Sequence, residues 1–192
     1  LVVLLLLLWP RWRLQTKLHL LLVGSCFFYA AWDYRYLALL LFVSAANYVC
    51  GARIAESEDK RRRKAWLWAS VGVSLGTLAY FKYTGFFLDT LRPALALAGV
   101  PVPELDILLP AGVSFYTFKT MSYTIDVYRR ELAPCRSLTD YATFVTFFPE
   151  LIAGPIVRAS VFLPQMTREI GPTAERLRTG FSIFLVGLTK KL

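Results

Sequence analysis

The residues best suited to chemistry cluster between positions 109 and 129, LPAGVSFYTFKTMSYTIDVYR. At about 100° per residue, Gly112, Tyr116, Lys119, Tyr123 and Asp126 fall on one stripe of a helix. Thr117, Thr120 and Thr124 flank that stripe, while Phe118, Met121 and Ile125 face the other way. Phenols, hydroxyls and a lysine aligned on an apolar helix suit the wall of a chamber or tunnel. They can orient a polar group in transit and oppose charge that develops on it. Lys119 sits deep in the apolar run, and an ionisable residue there is a candidate for function. Its structural alternatives are to reach a polar surface along its stem or to pair with an acid. Asp126 lies nearer the helix end and is expected to orient Arg129 or Arg130.

A second segment, FFPELIAGPIVR at 147–158, is apolar but carries Pro149, Gly154 and Pro155 too close together for a straight helix. Irregular backbone at membrane depth is tolerated where it is buried in protein or lines a cavity, so a broken or re-entrant helix is expected here. Glu150 and Arg158 either form a structural ion pair or line a polar path. Elsewhere the chemistry is sparse. The single histidine, His19, has no acidic or nucleophilic neighbour in its motif and reads as structural. There is no Gly-x-Ser-x-Gly elbow, phosphate-binding glycine loop or metal-ligand spacing, so no metal site is expected. Cys26, Cys50 and Cys135 are odd in number and widely spaced, which suits neither a disulfide framework nor a zinc site.

The elements that must position these residues are long apolar helices. Hydrophobic residues make up 56% of the 192 positions, well above the usual share in soluble domains. The mean hydropathy is +0.49. A helix needs about 20 mostly apolar residues to span the hydrocarbon core. Continuous apolar runs without strand alternation place crossings at 14–32, 34–52, 65–83 and 107–128, with a partial one at 1–9, a re-entrant segment at 140–156 and a further helix at 175–192. The expected fold is therefore all-α: a polytopic transmembrane bundle with a re-entrant or broken helix, one domain, incomplete at both ends.

The net charge of +9 is not that of a nucleic-acid binder, because the basic residues sit in short clusters between apolar runs. Arg11, Arg13 and Lys17, then Arg53 and Lys60 to Lys64, then Arg129, Arg130 and Arg136 fall on alternate connections, whereas the opposite side carries Arg35, Lys82 and Arg92. The positive-inside rule puts the three richer connections in the cytoplasm. The connection at 86–106 then lies outside. Pro93, Gly99, Pro101 and Pro103 are expected to break any long helix in it, with a short interfacial helix at 94–100.

The stretches 109–129 and 147–165 (FFPELIAGPIVRASVFLPQ), with Tyr80–Tyr83 and the closing residues 187–191, resemble the membrane-bound O-acyltransferase family. The combination of SFYTF, IDVYR and AGPIVR is most similar to its bacterial alginate O-acetyltransferase branch. One position departs from the family pattern, since Lys119 stands where glutamine is usual. The resemblance implies an inner-membrane enzyme that takes acetyl from a cytoplasmic thioester, such as acyl-CoA, and delivers it toward an extracytoplasmic polysaccharide such as alginate, often through a secreted acetyltransferase partner. Membrane lipids, donor and acceptor are its implied contacts, with no tightly bound cofactor. Tyr116, Thr117, Lys119, Thr120, Tyr123, Glu150 and Arg158 would line the acyl path. The family's catalytic histidine is expected beyond Leu192, so none is assigned in this stretch and the fragment alone is expected to be inactive. A transporter or channel, or a non-catalytic membrane scaffold, would also use buried polar residues and a broken helix.

Overall fold

The computed structural model describes residues 13–97, 107–151, 154–166 and 173–191. Every regular element among them is helical: α1 (Leu14–Ala30), α2 (Tyr34–Glu56), α3 (Lys60–Leu78), a π-helical turn (Ala79–Tyr83), α4 (Thr84–Leu97), α5 (Val113–Tyr128), α6 (Leu138–Thr146), α7 (Phe148–Leu151), α8 (Ala159–Met166) and α9 (Ala174–Lys191). The partial span at 1–9 lies outside the described residues, as do residues 98–106 of the outer connection.

Local signals set the starts of the helices. Asp33 caps α2 by accepting from the Arg35 amide at 2.8 Å, and Asp59 caps α3 through the Arg61 amide at 2.9 Å. Ser137 does the same for α6, accepting from Asp140 at 3.1 Å. The Asp59 cap starts α3 within the basic cluster, five residues before the apolar run. Conversely, α5 begins six residues later than the apolar pattern predicts. Pro110 and the left-handed Gly112 (φ +70°) turn the chain first.

Pro93 does not break the helix that carries it. α4 runs through it to Leu97, continuous with α3 across the π turn. A proline removes one backbone donor. Here the carbonyl left without it belongs to Asp89, on a helix whose main packing among the described residues is against the π turn.

The core forms where α2, α3 and α5 pack pairwise, and a second group of α1, α6, α7 and α8 closes against α2 and α5. Ends that the chain order places on one side are bonded to each other. Tyr29 donates to the Ala111 carbonyl at 2.7 Å and Tyr36 to Leu108 at 2.8 Å at one end. At the other, Tyr48 donates to Arg136 at 3.1 Å and Arg63 to Tyr128 at 2.5 Å. The clusters at Arg53, Lys60–Lys64, Arg129, Arg130 and Arg136 therefore share one end of the bundle.

The distribution of polarity is unlike that of a water-soluble domain. Ser25, Ser44, Asn47, Ser70, Ser74, Thr117, Lys119, Thr120, Thr124, Asp126, Thr143 and Thr146 are all buried. Meanwhile Val23, Phe27, Trp32, Phe42 and Trp68 are each between 62% and 73% exposed. Ser44, Thr143 and Thr146 satisfy their hydroxyls on carbonyls four residues back, at 2.7 to 2.8 Å. Only α2 among the described helices is both long and apolar enough, by length and composition, to cross a bilayer. α1 has 17 residues, α5 has 16, and α3 opens on the sequence KRRRK.

Candidate functional site

The polar stripe on α5 is turned inward as its spacing predicts. Tyr116, Thr117, Lys119, Thr120, Tyr123, Thr124 and Asp126 are buried, whereas Phe118 is exposed. A glycine makes room for the lower half of this face. A Cβ at Gly51 of α2 would lie 2.6 Å from the Tyr123 ring. Tyr123 in turn packs on Tyr141 at 4.7 Å between ring centroids, and its hydroxyl accepts from the Cys135 amide at 3.0 Å. Burial pushes the Cys135 thiol pKa up, keeping it protonated as a donor to the Ser137 carbonyl at 3.3 Å.

Lys119 is the centre of the site. Its Nζ lies 2.7 Å from Glu150 Oε2, 4.6 Å from the centre of the Phe144 ring and 5.0 Å from that of Phe162. Four elements thus meet on one ammonium: α5, α6, α7 and α8. The two aromatic faces and the carboxylate supply the negative potential that a desolvated cation needs.

Glu150 reaches this position because the helix is broken as the proline spacing requires. α6 stops at Thr146, Phe147 leaves helical geometry (ψ 102°), and α7 resumes for one turn. The amide freed at Phe148 is met by Ser25 Oγ of α1 at 3.3 Å. Gly154 packs directly on the Glu150 backbone, leaving no space for a side chain there. Gly112 likewise fits under the Leu151 carbonyl, so the break is seated against the start of α5.

Two pairings that the sequence allowed are replaced by others. Glu150 takes Lys119, not Arg158, which is exposed at the entry to α8. Among the described residues Asp126 forms no ion pair with Arg129 or Arg130, and its buried Oδ2 has no hydrogen-bond partner. The Arg129 guanidinium pairs with Glu131 at 3.0 Å, while the Asp126 backbone carbonyl accepts from Glu131 and Leu132 in the turn that closes α5. The reason is local geometry: after Tyr128 the chain turns back through Arg130 at φ 63°, which brings Glu131 to Arg129. His19 is exposed on α1, with Nδ1 2.7 Å from the Gln15 carbonyl.

Of the seven path candidates, Lys119 and Glu150 are joined directly. Thr117 and Thr120 use their hydroxyls on carbonyls of α5 itself. Tyr116 is fully buried, and its hydroxyl has no hydrogen-bond partner among the described residues. Sequence reasoning missed a second polar cluster. Asn47 Oδ1 accepts from Ser70 at 2.5 Å, its Nδ2 donates to Ser74 at 3.1 Å, and Ser70 lies 2.6 Å from Thr124. An asparagine inside the apolar run of α2, and serines four apart in that of α3, were the available signal. Among the described residues no group of three or more His, Cys, Asp or Glu side chains could hold a metal ion.

Comparison with known proteins bears on what this arrangement serves. A probable alginate O-acetylase of Pseudomonas aeruginosa is 40% identical over 175 residues, covering 90% of this chain and 34% of that protein. The corresponding protein of Pseudomonas putida is 39% identical, covering 90% and 36%. The chain is similar to these alginate O-acetylases over nine-tenths of its length. A peptidoglycan O-acetyltransferase of Helicobacter pylori is 31% identical over 198 residues, covering 90% of this chain and 37% of that protein. The chain thus spans about a third of the length of these curated relatives. No family model matches it, and no solved structure does.

Proposed function

We propose that this chain forms part of a multi-pass bacterial inner-membrane O-acetyltransferase. It moves acetyl from a cytoplasmic thioester, such as acyl-CoA, toward an extracytoplasmic polysaccharide. The observation that carries the reading is the agreement of nine-tenths of the chain with proteins named for O-acetylating alginate and peptidoglycan, two different extracytoplasmic polysaccharides. The reversed polarity of the bundle supports the bilayer as its solvent, because large apolar side chains on the outside are stable where lipid replaces water. The basic clusters gathered at one end support a cytoplasmic placement for that end. α1, α2, α3 with its π turn, and α5 then cross the membrane, and the break at Phe147 is re-entrant.

In this reading the acyl path runs along the inward face of α5. Tyr116, Thr117, Lys119, Thr120, Tyr123 and Glu150 flank it, with Arg158 at the entry to α8 as a further lining residue. A secreted acetyltransferase would receive the group where the polysaccharide is to be modified. The histidine at 19 takes no part.

The test is acetyl transfer from a labelled acetyl thioester to polysaccharide, by membranes containing the complete gene product. Transfer is expected with the wild-type sequence and is expected to drop at least about tenfold in Lys119→Ala and in Tyr116→Phe. Full activity in both variants would remove the path from α5.

A further inference from the structure

Lys119 and Glu150 differ from the other ion pairs described here. Arg53–Glu56, Arg62–Asp59, Arg92–Asp89 and Arg129–Glu131 are exposed and join residues two or three apart. Lys119 and Glu150 are 31 residues apart, with side chains 6% and 16% exposed. The element that carries Glu150 is one helical turn of four residues. A segment that short has no helical stability of its own, so tertiary contacts must hold it. Those contacts include the Ser25 bond to Phe148, the Phe28–Phe148 ring contact at 5.6 Å, the fit of Leu151 over Gly112, and the Lys119–Glu150 pair. Of these, the pair is the one between full charges in a desolvated setting, where its loss leaves an uncompensated ion.

We propose that Lys119 and Glu150 are a positioning pair that seats the broken α6–α7 segment against α5, with Phe144 and Phe162 as the walls that keep the ammonium in place. The pair sets whether the inward face of α5 is covered by this segment. The two members are not equivalent. Glu150, at the edge of the packing, can turn toward polar surroundings when its partner is removed. Lys119 has no such exit, because both aromatic rings and three neighbouring helices enclose it. Removing the acid is therefore the more damaging change. For acetyl transfer the inference rests on the proposed function above; for the seating of α7 it stands without it.

The experiment places a reporter at Leu151, which is 2% exposed and lies over Gly112. In the complete gene product Leu151→Cys is introduced after replacing Cys26, Cys50, Cys135 and every cysteine elsewhere in that product. Labelling by a membrane-permeant maleimide is then timed in Lys119→Met, in Glu150→Gln and in the double variant. Each single change is expected to speed labelling at least about tenfold, Glu150→Gln more than Lys119→Met, and the double variant no more than the worse single. Unchanged rates, or effects that simply multiply, overturn the pair. Where Glu150→Gln does not accumulate, Glu150→Asp keeps the charge and shortens its reach. It is expected to label at an intermediate rate, and wild-type labelling there overturns the proposal too. Acetyl transfer in the same variants is expected to fall in kcat with the KM for donor unchanged. A wild-type protein that labels slowly yet transfers no acetyl would sink the enzymatic reading and leave the positioning pair intact.

Discussion

Two polar clusters are buried in this bundle, and they are built on opposite principles. The junction of α2, α3 and α5 uses Asn47, Ser70, Ser74 and Thr124, all neutral, all on regular helices and all hydrogen-bonded. The corner where α5 meets α6, α7 and α8 uses one full charge of each sign, two aromatic faces and a broken backbone. Neutral donors and acceptors can back-bond to their own helix when a partner is lost, so the first cluster tolerates change. Lys119, enclosed by two rings and the neighbouring helices, has no such fallback, and Glu150 has one only at the edge of the packing. The difference points to separate purposes: the junction fixes how three helices pack, whereas the corner fixes an irregular segment that no helix propensity would hold.

That contrast is sharpened most by Glu150→Gln, with Lys119→Met next. Leaving Glu150 without its cation at the corner is expected to cost about 3 kcal/mol, somewhat below the full buried-pair range because Glu150 is partly exposed. Denaturant or thermal unfolding in detergent reads this, and a loss below about 1 kcal/mol would place the two clusters on the same footing. Gly112→Ala comes next, at about 1–3 kcal/mol, since the residue is in the left-handed region and a Cβ would collide with the Leu151 carbonyl. Loss of the Leu151 contact would also make this variant speed labelling at position 151. At the neutral junction, Asn47→Val is expected to cost about 1–2 kcal/mol, in keeping with hydrogen bonds between helices in a membrane. An effect as large as that of Lys119→Met would contradict the distinction drawn here. Tyr116→Phe is expected to change stability by less than about 0.5 kcal/mol in either direction, because the hydroxyl it removes is already unpartnered. The same substitution separates packing from chemistry, since a large fall in acetyl transfer with unchanged unfolding would leave a functional hydroxyl as its cause.

Much of the helical layout was legible in residues 14–128 because the signals there are local. The 3.6-residue period of α5 put Tyr116, Lys119, Tyr123 and Asp126 on its inward face, and the proline and glycine spacing at 149–155 announced a break. Boundaries slipped where a cap or turn outweighed the apolar pattern, at Asp59 and at Gly112. Pro93 misled in the other direction, because an exposed helix can lose one backbone bond and continue. The site was legible as a list of residues, less so as a set of contacts.

By itself, the sequence determined that the chain is helical, where its polar face lies and which connections carry its basic clusters, because each follows from spacing along one stretch of chain. Only the tertiary structure decided who meets whom. It gave Glu150 to Lys119 in place of Arg158, joined Asn47 to serines on the next helix and to Thr124 beyond, and brought Ser25 to the amide left open by the break. Those choices depend on how helices distant in sequence pack, and packing is settled by the fit of all their faces at once.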